Sequence, residues 1–553
     1  MYSSKENVNI LTSLLVQHGV RHAVVCPGSR NSPISHNLNE CPEIECYPVT
    51  DERSAGFYAL GMALTLCKPV AVCVTSGTAL LNVAPAIAEA FYQHVPLVVI
   101  SADRPEQWID QLDGQTMPQP DALGRFVKKA VNLPEPKDDE QRWYCNRLVN
   151  EALNETNHHG YGPVHINVPI SEPLFEYNVA ELPDERRIHL INSRCDRYKL
   201  SIACSDQFVA AKKPMLVIGQ MSMEQLLPAE ISMISQCAVV INEALSLGNG
   251  GSHFNEVLYA VSEDPEFQPD FLLYVGDTLV SKRVKKWMRT LKDTKIWMVS
   301  ENGNIHDTTM NLYGVIEGRA ADVIEDLCES VKTKHMSPTS KYKARWDMAL
   351  RKTADMTMTF KPGYSHMAAV KLFEEKIGTA INCYVHYGNS SSVRLASFYA
   401  RHFVYCNRGV NGIEGSLSTA AGGSVVTDSK VFCVLGDLSF FYDQNALWNQ
   451  NLKGNLRILL LNNQGGTIFR MLKGLEQSEA RDKFVSGSHH ATAEGICMQN
   501  HVKYLKATDM EELAEGVNTL IHADSDHPIL LEVLTDAKED VRIVNEYYQK
   551  LKL

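Results

Sequence analysis

The stretch that decides the fold is KVFCVLGDLSFFYDQNALWNQNLKGNLRILLLNNQGGTIF, residues 430–469. An apolar strand ends at Gly436 and Asp437, a helical stretch follows, and a second apolar strand ends at Asn462 and Asn463. A strand–helix–strand crossover lays its two strands side by side in parallel, so their carboxyl ends emerge on one edge. Ligands of open α/β sheets bind at that edge. The spacing therefore predicts that Asp437 and Asn463 present a carboxylate and an amide oxygen to one point.

That pair of donors suits magnesium, which takes one or two protein oxygens and fills its octahedron from phosphates, water or a backbone carbonyl. Gly465 and Gly466 follow at once. They let a carbonyl, that of Gly465, turn toward the metal and let the backbone approach a phosphate. The candidate metal set is Asp437, Asn463 and Gly465. The plain alternative is an Asp and an Asn that merely cap helices. Two strand ends one crossover apart, with a diglycine behind the second, favour the ion.

Outward from this stretch the chain keeps the same alternation. HAVVCPG (22–28), IECYPVT (44–50), VAVCVTSG (70–77), PLVVISADRP (96–105) and PVHINVP (163–169) read as strands, with helical patterns between them. Several are apolar throughout, the mark of a parallel sheet covered on both faces. PMLVIGQ, AVVINEA, FLLYVGD and KIWMVS form a middle group; AINCYVHYG, FVYCNRG, LRILLLNNQGG and HPILLEVL join the opening stretch in a last one. Polar, charged stretches at Ser171–Arg197 and at VKTKHMSPTSKYKA (331–344) read as linkers. The expectation is an α/β protein of three doubly wound parallel-sheet domains, at 1–183, 198–334 and 344–553. A chain of 553 residues is indeed too long for one core.

Composition narrows the function. With 53 basic and 65 acidic residues the net charge is −12, which argues against nucleic acid as a partner. No apolar run approaches the ~20 residues that span a bilayer. The N-terminus MYSSKENVNILTSLL lacks the plan of a signal peptide. The 14 cysteines form no C-x-x-C pair and several lie inside apolar strands, so reduced thiols and a cytoplasmic setting are expected.

A GD followed after one crossover by NN resembles the diphosphate-binding motif of thiamine-diphosphate enzymes. Those enzymes have three α/β domains: one for the aminopyrimidine, a central one, and one for the diphosphate. The resemblance implies thiamine diphosphate as cofactor, held through Mg2+ with Mn2+ as a substitute, against Gly436, Asp437, Leu438, Ser439, Asn463, Gly465 and Gly466. Leu438 departs from the glycine that many members carry. Glu52, in TDERSAGF (50–57), matches the glutamate that hydrogen-bonds the aminopyrimidine and helps take the proton from the thiazolium C2. Its plain alternative is an acidic residue in a helix's first turn. Ile413 matches the bulky residue that props the cofactor into its bent shape, with a core isoleucine as the alternative.

The resemblance extends along nearly the whole chain through CPGSRNSP (26–33), TSGTA (75–79), SADRP (101–105), HYGNSSSVR (386–394) and NRGVNGIEG (407–415). On these motifs it is similar to the 2-succinyl-5-enolpyruvyl-6-hydroxy-3-cyclohexene-1-carboxylate synthases of menaquinone biosynthesis. That family decarboxylates 2-oxoglutarate and adds the resulting carbanion equivalent to isochorismate. The resemblance assigns the succinyl carboxylate to Ser390 and Arg394, with Asn389 near the reacting carbon. Isochorismate falls to Ser29, Arg30, Arg104, Gln115 and Lys282, with Arg408 between the two substrates. Ile468 and Phe469 would wall the thiazolium. Gly114 stands where asparagine is expected, and Arg283, Lys285 or Lys286 are alternatives to Lys282. The active site would lie between subunits of a homo-oligomer, dimer or tetramer.

Charge supports the same reading. Dianionic substrates call for fixed cations, and arginine suits planar carboxylates. Arg30, Arg104, Arg394 and Arg408 all fall where strands end, and the expectation is a single sheet edge carrying all four. An acetolactate synthase or another 2-oxoacid decarboxylase would share the metal motif and the glutamate but has less need of four arginines. A non-enzymatic nucleotide-binding regulator is the rival of another class. It finds no GxxxxGK[ST], and no GxGxxG follows a strand.

Overall fold

A computed structural model describes residues 1–188, 197–246, 253–334, 336, 340–378, 382–471 and 474–551. Three parallel sheets organise them. The first contains β1 (His22–Val25), β2 (Glu45–Pro48), β3 (Val70–Val74), β4 (Leu97–Asp103), β5 (Ala130–Asn132) and β6 (Val164–Pro169), ordered β2-β1-β3-β4-β6-β5. The middle sheet contains β7 (Pro214–Ile218), β8 (Val239–Ile241), β9 (Phe271–Val275), β10 (Lys295–Ser300) and β11 (Leu312–Glu317), ordered β8-β7-β9-β10-β11. In the third, β12 (Cys383–Tyr387), β13 (Lys430–Gly436), β14 (Leu456–Asn462), β15 (Lys503–Ala507) and β16 (Ile529–Leu534) run β12-β13-β14-β16-β15. This is the expected fold class. Every residue of β3, β4 and β14 is buried, as a sheet clad by helices on both faces requires.

Seven helices bear on the site: α1 (Glu52–Leu66), α2 (Ala84–Tyr92), α3 (Lys282–Met288), α4 (Ser391–Tyr399), α5 (Ser416–Val425), α6 (Asp437–Tyr442) and α7 (Ala537–Lys550). The first and third sheets share one apolar core, into which α1 brings Phe57, Tyr58 and Leu60 and α5 brings Leu417 and Ala420. These two helices meet backbone to backbone. A Cβ on Gly61 would strike the Thr419 carbonyl, and one on Gly422 would strike the backbone of Tyr58. Among the described residues no helix is long and apolar enough to cross a membrane.

Tyr2–Ser3 and Tyr177–Val179, the second inside the expected linker, pair as a small antiparallel sheet that the sequence reading lacks. The strands of the three parallel sheets absent from that reading have one physical feature in common. β5, β11 and β15 are all sheet edges, where one side lacks a neighbour and the apolar run is broken. FVYCNRG is a correction in the other direction. It makes only an isolated bridge, His386 to Tyr405, and otherwise runs as a loop. Residues 189–196 of the first expected linker, and 335 and 337–339 of the second, lie outside the described residues.

Because the α1–α5 contact is made by main chain, no rotamer change relieves a larger residue there. Gly422→Val is expected to cost roughly 3 kcal/mol or more, lowering the melting midpoint by about 3 °C or more in a thermal unfolding scan.

Candidate active site

β13 and β14 pair in parallel with Gly436 opposite Leu461, so Asp437 and Asn463 leave the sheet on the same edge. Asp437 opens α6 and is buried. Its Oδ1 accepts the Leu438 amide at 2.7 Å and its Oδ2 the Gly465 amide at 2.9 Å. The carboxylate thus bridges the loop after β13 and the loop after β14. Gly465 has φ +152°, a conformation that only glycine holds at little cost. From the other side Ser486 O accepts the Gly466 amide at 2.7 Å, and His489 Nε2 stands 3.3 Å from Asp437 Oδ2. Leu438 packs over Gly487 in that covering segment. Ser439 is buried behind it, whereas a Cβ on Gly436 would meet nothing within 4 Å. A carboxylate and an amide oxygen beside an open glycine-lined loop fit magnesium carrying a diphosphate.

Asn463 and Ile468 line a cavity of about 410 Å³ together with Lys282, Ser391, Arg394 and Glu243. Arg394, on α4, is half-buried; desolvation, then the nearby Arg408 charge, lowers its pKa. Arg408 is buried, giving one nitrogen to Asn389 Oδ1 at 3.1 Å and another to Leu279 O at 3.4 Å. The Nε of both arginines has no hydrogen-bond partner among the described residues. Asn389 is itself held by Asn407 O and Gly412 O, each at 2.6 Å. Ser390 (φ +69°) turns the chain into α4. Ile413 is 37% exposed, which removes the alternative of a core residue.

Two carboxylates missing from the sequence reading anchor these cations. Glu89 on α2 accepts the Gly409 and Val410 amides, each at 2.8 Å, fixing the loop that carries Arg408. Glu243 accepts the Ser281 amide at 2.8 Å and that of Val280, fixing the start of α3 and so Lys282. Burial raises the pKa of both. Within the basic run, Lys285 is tied to Thr278 Oγ1 at 2.9 Å, and Arg283 bonds Asn255 O at 2.8 Å beneath Tyr259 and Tyr548. No local pattern announces Glu89 or Glu243, since each acts on a segment far away in sequence.

The expectation of four arginines on a single edge needs correction. Arg30 and Arg104 belong to the first sheet, Arg394 and Arg408 to the third. Arg30 is buried and held by Ile170 O and the Glu172 carboxylate, each at 2.9 Å. Arg104 binds Gly114 O at 3.0 Å and Asp113 at 3.1 Å. Ser29 precedes Arg30 on the same edge, and Gln115 (φ +54°) lies against Gly77. Glu52 opens α1 half-buried. The capping task falls to Asp51, whose carboxylate accepts the Ser54 amide at 3.0 Å, so Glu52 is free of it. Phe469 packs on Gly466.

Residues 6–124 match the family described as thiamine pyrophosphate enzyme, N-terminal TPP binding domain. Over the full length of both chains, the sequence is 42% identical to a 2-succinyl-5-enolpyruvyl-6-hydroxy-3-cyclohexene-1-carboxylate synthase of Bacteroides thetaiotaomicron and 43% identical to that of Bacteroides fragilis. This chain belongs to that synthase family. The synthase of Flavobacterium johnsoniae is 34% identical over 96% of each chain, so the likeness runs through all three sheets.

Asp443 ties the end of α6 to the first turn of α5. It is buried at the end of α6 and accepts the Ser418 amide and hydroxyl, each at 2.7 Å, so it caps α5 from outside. Burial pushes its pKa up to about 7. The folded chain then keeps a proton that the unfolded chain has released. Stability should fall as pH rises from about 4 to about 7 and level off above. Asp443→Asn is expected to flatten that slope, read from urea midpoints across the range.

Proposed function

We propose that this chain decarboxylates 2-oxoglutarate on thiamine diphosphate held through Mg2+, with Mn2+ as a substitute, and joins the succinyl unit to isochorismate, releasing CO2. The observation that carries the reading is the neighbouring pair Arg394 and Arg408, each with an Nε unpartnered among the described residues, with Arg394 lining the same cavity as Asn463. The buried Glu243 carboxylate acts on both, so one anion faces two guanidinium groups and a further anion lowers the cost of holding them together. A dicarboxylate meets that need. The names of the relatives supply the rest: their product contains a succinyl group on a cyclohexene carboxylate.

When bound, thiamine diphosphate supplies the electron sink for decarboxylation. The protein positions, excludes water and neutralises charge. Asp437, Asn463 and the Gly465 carbonyl would hold the ion. Gly436, Leu438, Ser439 and Gly466 would border the diphosphate, and Ile413, Ile468 and Phe469 the rings. Glu52 would hydrogen-bond the aminopyrimidine and set its protonation. Ser390 and Arg394 would hold the distal carboxylate of 2-oxoglutarate, with Asn389 beside the reacting carbon. Ser29, Arg30, Arg104, Gln115 and Lys282 would receive isochorismate, and Arg408 would serve both.

The described lining of the cavity includes none of Glu52, Ser29, Arg30, Arg104 or Gln115. The family resemblance supports a homo-oligomer in which the first-sheet edge of one subunit completes the third-sheet edge of another. The domain limits 1–183, 198–334 and 344–553 are proposed on the same footing, each bracketing one parallel sheet.

Mass spectrometry of the product from 2-oxoglutarate and isochorismate tests the reaction; the adduct with loss of CO2 is expected. Glu52→Gln should abolish turnover while thiamine diphosphate with Mg2+ still raises the melting midpoint by mass action. Normal turnover in that variant removes Glu52 from its role. Arg394→Ala should lower kcat/KM for 2-oxoglutarate by roughly 100-fold or more and change use of pyruvate little. Equal losses with both acids would show that the arginine does not read the distal carboxylate.

A further inference from the structure

The Asn463 amide is clamped at one end. Its Nδ2 donates to Asp540 Oδ2 at 2.7 Å and stands 3.3 Å from His366 Nδ1. A primary amide carries two hydrogens on nitrogen and only lone pairs on oxygen. A carboxylate oxygen only accepts, so the short contact to Asp540 Oδ2 takes a hydrogen from the amide nitrogen, and Oδ1 is left facing away from Asp540. Turning the amide over would set oxygen against carboxylate.

Asp540 is itself well fixed. It is 6% exposed; one oxygen accepts the His366 amide and the other the Thr535 hydroxyl, each at 2.8 Å. It lies in the first turns of α7, whose Val541, Val544 and Tyr548 line the same cavity as Asn463.

The geometry points to Asp540 as the positioning residue that aims the Asn463 amide oxygen at the metal. The inference rests on the proposed reading of Asp437 and Asn463 as ligands, and makes the C-terminal helix part of the ion site. Asp540 acts through Asn463 and does not itself ligate. Outer partners of this kind are typically worth about 10–100-fold in metal affinity, because a ligand free to rotate spends much of its time with the wrong atom forward.

The test is a titration of the full chain with Mn2+ in the presence of thiamine diphosphate, free Mn2+ being read by electron paramagnetic resonance. Asp540→Asn can donate to the Asn463 oxygen and so favours the reversed amide. It should weaken Mn2+ binding by roughly 10–100-fold while leaving the ligand-free melting midpoint little changed. The exchange Asn463→Asp with Asp540→Asn should regain most of that affinity, since a carboxylate at 463 has no wrong end and the new amide can donate to it.

Wild-type affinity in Asp540→Asn alongside lost affinity in Asn463→Ala would overturn the positioning role and leave the ligand reading standing. Wild-type affinity in both Asn463→Ala and Asp437→Ala would overturn both. An exchange variant no better than Asp540→Asn would show that Asp540 serves structure alone. Should Asp540→Asn fail to fold, Asn463→Asp alone is compared with the exchange. The exchange should bind Mn2+ at least tenfold more tightly, and equal affinity overturns the inference.

Discussion

The bond from the Gly465 amide to the Asp437 carboxylate is where the site begins. It joins two loops that leave neighbouring parallel strands, and it can form only because Gly436 stands opposite Leu461 in the ladder. A slip of one residue would turn the side chains at the strand ends to the other face of the sheet. Every other part of this edge is set relative to this pair. Asn463 lies two residues before Gly465, and the Ser486–His489 segment closes over the same loop.

Around that edge, acidic side chains hold cations by way of the main chain. Glu89 grips the Arg408 loop and Glu243 grips the start of α3, each by accepting two successive backbone amides. A buried carboxylate needs such donors, and here they are amides of segments that carry Arg408 and Lys282. The backbone that carries these cationic side chains is therefore held rigid. Preorganisation of this kind spares the ordering cost at the moment of binding.

The first and third sheets are locked into one body by α1 and α5, whose glycines allow main chain to meet main chain. Glu52 opens α1, and Ile413 stands three residues before α5. The contact that builds the shared core therefore also sets where these two residues stand. Asp443 adds the last link, joining the end of α6 to the first turn of α5.

The sequence by itself determined the fold class, the crossover that brings residues 437 and 463 to one edge, the glycine at 465 and the motifs that mark the synthase family. All of these are local: a strand reads from its apolar run, and a parallel crossover dictates where its ends emerge. Folding in three dimensions decided the rest. Edge strands β5, β11 and β15 escaped because an edge needs no continuous apolar run. The four arginines divided between two sheets because strand ends look alike in sequence whichever sheet they join. Glu89, Glu243, His366 and Asp540 were silent for a single reason. Each binds a partner 37 to 321 positions away, and a hydrogen bond across that distance leaves no spacing for a sequence to display.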